Sequence, residues 1–239
     1  MNSQQSFQRF AAVTAIVSFP LALASDVLVG LPTNFSPDIA THPALMLSGG
    51  TAGANLLRWS MILDMFGYYL PLLPVALFVQ RWLRPGNPNW VRFYTICGLG
   101  YILIGASGAS TLAAVQPPLI NAYGQASLEQ RIVLETVFIT VWNMVFGGLW
   151  KLGGLLAGLW FLGIGLLLRD ERRIFSIVSI ILGASPFLGF LGGSLGIESL
   201  FLLGASIFGL LAPIWALWIG IDLLRKPIQI QTTYKLGAL

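Results

Sequence analysis

Six stretches of this chain are apolar enough and long enough to cross a lipid bilayer, and they constrain the fold more than any motif does. The hydrocarbon core of a bilayer is about 30 Å thick, and an α-helix needs about 20 apolar residues to cross it. The sequence therefore predicts an all-α, polytopic integral membrane protein with six transmembrane helices in one domain over residues 1–239. The predicted helices cover about 10–31, 57–80, 93–115, 148–168, 174–194 and 200–224.

The composition excludes a soluble globular protein. Hydrophobic residues make up 56% of the 239 residues and charged residues only 9%, which leaves too few polar side chains to cover a soluble surface. The formal net charge of +4 does not indicate a nucleic-acid partner, because the basic residues lie in short loops beside apolar segments, where they orient a membrane protein. The expected partners are membrane lipids, with no nucleic acid.

The distribution of basic residues predicts the orientation of the chain. Positively charged loops stay on the cytoplasmic side of a membrane. Both termini are therefore predicted to be cytoplasmic, in a multi-pass protein of the cell inner (plasma) membrane, and the connector from Pro32 to Leu56 is predicted to be an outer loop. The ten basic residues on the predicted inner side are Arg9, Arg81, Arg84, Arg92, Arg169, Arg172, Arg173, Arg225, Lys226 and Lys235, and the three on the outer side are Arg58, Arg131 and Lys151.

The first segment allows a second interpretation. Arg9 precedes an apolar run that ends in Ala-Leu-Ala at 22–24, which resembles a signal peptidase site. Cleavage there would remove residues 1–24 and leave five helices, with Ser25 as the new first residue. Because the apolar run resumes at Val27 and completes a full span, we favour retention of the segment.

The apolar stretch from Ile132 to Leu168 is too long for one perpendicular crossing. As a single helix rising 1.5 Å per residue, it would exceed the bilayer by about 20 Å. We expect a break at Gly147 and Gly148. Residues 128–146 would then form an outer interfacial helix, with Trp142 at the level of the lipid headgroups.

A weak internal repeat relates the second and third segments to the fourth and fifth. Each pair has an inward helix, a basic turn and a returning helix with a Gly-Ala-Ser triplet, at 105–107 and at 183–185. Asp64 and Asn143, each followed by Met, stand at a similar spacing upstream. Internal duplication occurs in some transporters, but small-residue triplets are so common in membrane helices that we favour coincidence.

Glycines at Gly-x-x-x-Gly spacing mark two predicted packing faces. Gly154 and Gly158 lie in the fourth segment, and Gly189 and Gly193 lie in the fifth. Such spacing lets two helix backbones approach closely, which stabilises helix association in lipid. We favour packing between these two segments within one chain, and a contact between subunits of a homo-oligomer is the alternative.

Asp64 is the acidic residue with the strongest claim to a function. It lies about one turn below the predicted outer surface, where a carboxylate is costly to bury. Tyr68, Pro71 and Pro74 follow it, so the helix should kink and leave backbone carbonyls free, as in the ion and substrate sites of many transporters. The alternative is a structural Asp64 that pairs with Arg58 or Lys151 beside a structural proline kink.

Four further charged residues map to the outer third or the outer surface of the predicted bundle: Asp26, Glu135, Glu198 and Lys151. Together with Asp64, Arg58 and His42 they could line an outward-facing polar vestibule. The candidate residues for a small-solute or ion site in it are Asp64, Tyr68, Asp26, Glu135 and Lys151. Interfacial anchoring is the simpler alternative, because charged groups collect at helix ends whatever the function.

No catalytic, cofactor or metal site can be assembled from the sequence. A zinc site needs about four ligands, and the chain has one histidine, His42, and one cysteine, Cys97. No histidine lies in a predicted transmembrane helix to activate a serine such as Ser194 as a nucleophile. We therefore expect no catalytic residues, no cofactor, no metal and no enzyme activity.

The chain from about residue 150 to 226 resembles a known family. The resembling features are the run Gly-Ile-Gly-Leu-Leu-Leu-Arg at 163–169, Gly183 in the next helix, and the closing run from Trp215 to Arg225. They are similar to an uncharacterised bacterial family of small six-helix membrane proteins, the domain of unknown function DUF4386. The resemblance implies a six-helix fold in a bacterial inner membrane and transfers no activity.

From the sequence we expect a non-enzymatic accessory or scaffold protein whose main interaction is helix packing, with a second copy or with another membrane protein. The alternative is a transporter of a small solute or ion that uses an outer-facing vestibule around Asp64. A lipid-modifying enzyme is a third interpretation, which the missing catalytic residues disfavour.

Overall fold

A computed structural model describes residues 3–36, 42–83 and 86–225, and the regular elements of this part of the chain are all helices, without a β-strand. It contains 3-10 helices at Leu31–Thr33 and Pro43–Gly49, and π-helical segments at Met65–Tyr69 and Asn143–Leu149. The α-helices are α1 (Ser3–Gly30), α2 (Gly50–Asp64), α3 (Leu72–Leu83), α4 (Pro88–Tyr123), α5 (Leu128–Trp142), α6 (Trp150–Leu167), α7 (Arg173–Leu195) and α8 (Glu198–Arg225).

These helices join into six rods, each long and apolar enough to cross a membrane, so the predicted six-helix transmembrane architecture is confirmed. The first π-helical segment joins α2 to α3, and the second joins α5 to α6. The rods are Ser3–Thr33, Pro43–Leu83, Pro88–Tyr123, Leu128–Leu167, Arg173–Leu195 and Glu198–Arg225.

The six rods form a closed ring. α1 packs against α8, α8 against α7, α7 against α6, α6 against α4, and α4 against α2 and α3, which return to α1. Helices that face one another across such a ring must fill its centre or leave a cavity. In this ring, side chains fill one part of the centre and a cavity occupies another part.

Aromatic side chains fill part of the centre. Trp160 and Phe161 of α6 and Trp215 of α8 are almost completely buried, and the Phe161 and Trp215 rings meet edge to face with centroids 4.9 Å apart. Aromatic pairs favour this geometry. The indole N–H of Trp215 donates a hydrogen bond to Ser179 Oγ of α7 at 2.8 Å, so the ring carries no unsatisfied donor into the core.

At the predicted inner end, an ion pair joins Arg172, before α7, to Asp222 in the last turn of α8. The guanidinium of Arg172 also lies over the Trp82 ring of α3, 4.6 Å from its centroid. At this distance the ring face attracts the cation. One side chain therefore connects α3, α7 and α8 at this end.

The prediction of an outer loop from Pro32 to Leu56 is wrong in part, because much of this connector is helical. A 3-10 helix begins at Pro43 and continues into α2. Four apolar residues lie on one face of this helical stretch. They pack against residues of α4 and α5, which buries that face. The four buried residues are Met46, Leu47, Ala54 and Leu57. Residues 37–41 of the same connector lie outside the described residues.

The predicted break at Gly147 and Gly148 is also wrong. Both glycines lie inside the π-helical segment, which carries α5 into α6 without interruption. A π-helical turn absorbs an extra residue while keeping the backbone hydrogen-bonded. Phe138 of α5 shares a buried cluster with Ile120 of α4, so 128–146 continues alongside α4 and does not form a separate interfacial helix.

The two π-helical segments fall at corresponding places in the chain. One begins directly after Asp64, and the other begins at Asn143. These are the two positions that the weak sequence repeat relates. Each segment changes the winding within a rod that is followed by a helix with a Gly-Ala-Ser triplet, so the repeat in sequence coincides with a repeat in helical winding.

Candidate functional site

A cavity of about 370 Å³ lies in the ring, and all six rods contribute to its wall. Four of the five residues that the sequence suggests for a solute or ion site line this cavity: Asp26, Asp64, Tyr68 and Lys151. The fifth, Glu135, is half-buried on α5 and does not line it. The structure therefore brings together residues from α1, α2, the first π-helical segment and α6.

Asp64 is the last residue of α2 and is buried, with 8% of its surface exposed. Its Oδ2 atom accepts no hydrogen bond within the described part of the chain. Neither Arg58 nor Lys151 forms an ion pair with it there, and Arg58 is exposed. The alternative of a structural Asp64 paired with one of these bases is thus not found in the structure.

Tyr68 connects Asp26 of α1 to the middle of α8. Its hydroxyl lies 2.8 Å from Asp26 Oδ2 and 3.1 Å from the carbonyl oxygen of Gly209, and it donates to these acceptors. The ring itself is buried, with 8% exposed. One hydroxyl therefore links three rods at the edge of the cavity.

The π-helical winding positions Tyr68. Pro71 has no backbone N–H, so regular α-helical bonding cannot continue through it. The Leu70 amide instead bonds the Met65 carbonyl at 2.8 Å, a π-type bond between residues five apart. The Tyr101 hydroxyl of α4 donates to the Tyr68 carbonyl at 2.9 Å and so satisfies an acceptor that the altered winding makes available.

Aromatic rings form most of the remaining wall, and the sequence alone does not distinguish them from other aromatic residues. Tyr69 and Tyr101 meet edge to face at 5.3 Å, and Gly105 makes room for Tyr69, since a Cβ there would lie 2.0 Å from that ring. The Trp150 indole donates to the Gly105 carbonyl at 3.2 Å. The aromatic lining residues besides Tyr68 are Tyr69, Tyr101, Phe146, Trp150, Phe190, Phe201 and Phe208.

The predicted packing glycines divide between the cavity and the helix contacts. Gly154 and Gly189 line the cavity. Gly158 lies at the contact between α6 and α7, where a Cβ would be 2.9 Å from the Gly183 carbonyl oxygen. Gly193 lies beside the end of the Lys151 side chain, 3.2 Å from where a Cβ would be. Of the four, Gly158 therefore makes the closest approach to the facing backbone.

The chemical content of the cavity is two carboxylates, one ammonium group and several aromatic rings. Within the described residues, no three His, Cys, Asp or Glu side chains lie close enough to share a metal ion. His42 is exposed before the Pro43 helix, and Cys97 is buried in the core away from the cavity. The arrangement suits the binding of a solute by charge, hydrogen bonding and aromatic contact.

The chain matches a known protein family over most of its length. The sequence model of the family described as "Domain of unknown function (DUF4386)" matches residues 10–226. No curated protein and no solved structure matches the chain. The family match reaches from α1 to α8 and includes every residue of the cavity.

Proposed function

This chain belongs to the family described as a domain of unknown function, DUF4386, and we propose that it is a carrier that binds a small solute in its intramembrane cavity. One observation supports this most directly. A carboxylate oxygen of Asp64 is buried in the cavity wall without a hydrogen-bond donor in the described part of the chain.

Burial of an unpaired carboxylate is costly, and natural structures satisfy nearly all such groups. If Asp64 had a structural role, the protein would provide its hydrogen-bond donor, as the Tyr68 hydroxyl does for Asp26 at 2.8 Å. Asp64 Oδ2 instead belongs to a residue of the cavity wall. A solute with a positive charge or a strong hydrogen-bond donor would complete its interactions when bound.

The rest of the cavity supports a small solute as the ligand. Small-molecule sites are mostly apolar concave pockets with a few well-placed polar groups. Here the charged groups are Asp26, Asp64 and Lys151, and the surrounding wall is aromatic. Aromatic faces attract cations as well as apolar groups. A volume of about 370 Å³ is at the small end of the range for such sites.

Two features of the helices support transport over simple binding. π-helical turns within α-helices occur frequently at functional sites, and many transporters are built from internal repeats. In this chain Asp64 immediately precedes the π-helical segment Met65–Tyr69, and the second such segment, Asn143–Leu149, occupies the corresponding place in the weak repeat. The cavity lies between the two rods that contain these segments, since Tyr68 and Phe146 both line it.

Asp64→Asn tests the proposal, because it keeps the volume of the side chain and removes its charge. Purified wild type is first screened by thermal shift against small cationic, neutral and anionic solutes, and the stabilising solutes are then assayed for uptake into proteoliposomes. We expect Asp64→Asn to abolish uptake and the ligand-induced thermal shift. Its melting temperature without ligand should stay close to that of wild type or rise, since neutralisation lowers a burial cost.

Glu135→Gln is the matched control, since Glu135 is an acid of the outer region that does not line the cavity. It should retain uptake. Equal uptake by wild type and Asp64→Asn would rule out the carrier mechanism. Loss of the folded protein in Asp64→Asn would show that Asp64 is a structural residue after all.

An accessory or scaffold role is the second candidate, and the exposed apolar surface of α5 favours it. Leu128, Ile132 and Val133 are each more than 60% exposed, and only Phe138 and Trp142 of this helix are buried. A second copy of the chain or another membrane protein could cover this face. Native mass spectrometry of detergent-extracted protein would identify a stable oligomer or partner.

In either role we propose a protein without enzyme activity, located in a bacterial inner membrane with both termini in the cytoplasm. The cavity and the unpartnered carboxylate oxygen of Asp64 in its wall favour the carrier over the scaffold. A scaffold has no need of such an acceptor, so the carrier becomes the first candidate.

A further inference from the structure

A second cavity of about 360 Å³ adjoins the first and lies between α1 and α8. Its wall combines apolar residues of both helices with Asp26 and Gly209, and the latter two also line the central cavity. Leu23 is 46% exposed and Leu210 is 65% exposed, so this groove opens on the outer surface of the ring, where lipid surrounds a transmembrane bundle. The apolar residues of the groove are Phe19, Leu23, Leu210, Pro213 and Ile214.

The two residues that the cavities share are the two acceptors of the Tyr68 hydroxyl. Tyr68 donates to Asp26 Oδ2 and to the Gly209 carbonyl. Its hydroxyl therefore contacts the two residues at which the groove and the central cavity meet.

The groove also contains a charge within the predicted span, in its outer third. Gly209 lies sixteen residues before Arg225 at the end of α8, or about 24 Å along the helix axis. Asp26 is linked to it through one hydroxyl and is exposed. A carboxylate on a lipid-facing surface within the span is unfavourable unless a cation accompanies it.

We propose that the solute is an amphipathic amine, which places its ammonium group between Asp26 and Asp64 and its hydrocarbon chain in the groove between α1 and α8. This inference rests on the proposed carrier function. Charge complementarity supports it, because the cavity has two carboxylates against one ammonium, and the Lys151 side chain ends beside Gly193 of α7. The aromatic wall favours a cation further.

The chemistry of the groove indicates where the ligand enters. An amphipathic amine partitions into the bilayer with its charge near the headgroups, so it can reach the groove sideways from the lipid. A hydrophilic solute would gain nothing from the apolar residues Leu23, Leu210 and Ile214. Binding affinity should therefore depend on the length of the hydrocarbon chain as well as on the charge.

The test uses the full chain in nanodiscs of phosphatidylcholine, with ethylammonium, hexylammonium and dodecylammonium as probes and dodecanol as the uncharged analogue. Binding is measured by isothermal titration calorimetry. We expect wild type to bind dodecylammonium tightest and dodecanol weakly. Asp64→Asn should weaken every ammonium probe on the order of thirtyfold, because it removes one partner of a buried charge pair.

The comparison of Leu210→Ala with Leu203→Ala distinguishes binding in the groove from partition of the probe into the bilayer. Both residues are exposed on α8, but Leu203 lines neither cavity. Leu210→Ala should weaken dodecylammonium binding by about fourfold for each methylene group that it leaves uncovered, and it should leave ethylammonium binding unchanged. Leu203→Ala should match wild type for both probes. Partition of the probes into lipid is the same in all discs and cancels in these ratios.

The outcomes distinguish the two proposals. Binding of ethylammonium that depends on Asp64, with Leu210→Ala equal to Leu203→Ala, would overturn the amphipathic ligand and keep the carrier. Asp64-dependent uptake of a non-amine solute without any ammonium binding would do the same. If no solute of any class shows a dependence on Asp64, both proposals fail together.

Two sources could supply such an amine, a membrane lipid with an ethanolamine headgroup or a free amphiphile, and the lipid of the discs separates them. Phosphatidylethanolamine replaces part of the phosphatidylcholine in a second series. A lower apparent affinity for dodecylammonium in these discs identifies the lipid headgroup as the ligand, because it competes for the site. An unchanged affinity identifies a free amine.

Discussion

One carboxylate oxygen distinguishes Asp64 from Asp26, the other acidic residue of the cavity. Asp26 has the Tyr68 hydroxyl at 2.8 Å, whereas Asp64 Oδ2 has no donor in the described part of the chain. Exposure does not explain the difference, because Asp64 is the more buried of the two. A ligand that donates a hydrogen bond to Asp64 Oδ2, as we propose, would account for the difference.

The neighbouring Tyr101 is expected to matter for stability through its hydroxyl alone. It donates to the Tyr68 carbonyl at 2.9 Å, and Tyr101→Phe removes this bond while keeping the ring. We expect a loss of about 1 kcal/mol in the free energy of unfolding, measured as a lower melting temperature in detergent. Tyr69→Phe is the control, because no backbone carbonyl in the described residues accepts a bond from Tyr69. Equal melting temperatures for both variants would contradict the role of the Tyr101 bond.

At this scale the charged part of the site could be predicted from the sequence, and the aromatic part could not. Charges are rare within membrane helices, so Asp26, Asp64 and Lys151 stand out in a chain with 9% charged residues. Aromatic residues make up 12% of it and are spread over every rod. Whether Trp150 or Phe208 lines a cavity depends on helix rotation, which a composition cannot give. Glu135 shows that charge alone is not sufficient, since this acidic residue was a candidate by its charge but does not line the cavity.

At the scale of the helices, the main feature is the change from α-helical to π-helical winding at two places. The proline pair at 71 and 74 is expected from the sequence to kink its helix, and a π-helical segment lies just before the first proline. The glycine pair at 147 and 148 is expected to break its helix, and a second π-helical segment runs through both glycines instead. Glycine permits a break but does not require one. The result depends on packing against α4, which the local sequence does not show.

The contact between α6 and α7 gives a sharp prediction, because two glycines one turn apart differ in their surroundings. A Cβ at Gly158 would lie 2.9 Å from the Gly183 carbonyl oxygen, whereas a Cβ at Gly154 would lie 3.6 Å from Pro186 Cβ. Gly158→Ala should destabilise the protein by about 1–3 kcal/mol through overpacking. Gly154→Ala should be neutral or stabilising, since alanine favours a helix by up to about 1 kcal/mol over glycine.

Thermal unfolding in detergent measures both glycine variants. The bulkier Gly158→Ile extends the test to association: conversion of an oligomer into folded monomer would place this face between subunits. Loss of the folded protein would place it within one chain, as the structure does. Wild-type stability of Gly158→Ala would show that α6 and α7 are farther apart than in this structure.

At the scale of the molecule, if each of the six rods in the described residues crosses the membrane once, the start of α1 and the end of α8 lie on one side of it. The basic residues predict that this side is the cytoplasm. Reporter fusions after Arg173 and Lys235 should report the cytoplasm, and fusions after His42 and Gly124 should report the opposite side. A cytoplasmic signal at Gly124 would contradict this topology. N-terminal sequencing that starts at Ser25 would show that α1 is cleaved within its length.

The number of crossings was predictable because a run of about twenty apolar residues is a strong signal at any position in the chain. The extent of the helices was not. The rod that ends at Leu83 begins at Pro43, well before the predicted start at residue 57, and the rod that begins at Pro88 continues to Tyr123, past residue 115. Apolar contacts between α2, α4 and α5 stabilise these extensions, and such contacts between distant segments cannot be read from hydropathy.

The unequal lengths of the rods imply hydrophobic mismatch within a single protein. α7 has 23 residues and is about 34 Å long, while the Leu128–Leu167 rod has 40 residues and is about 60 Å long. A bilayer cannot match both. If its thickness fits α7, the long rods must tilt or extend into the headgroup layer; if it is thicker, lipid must thin along α7. Residues of both the short and the long rods line the cavity, so we expect the thickness of the membrane to affect the geometry of the cavity wall.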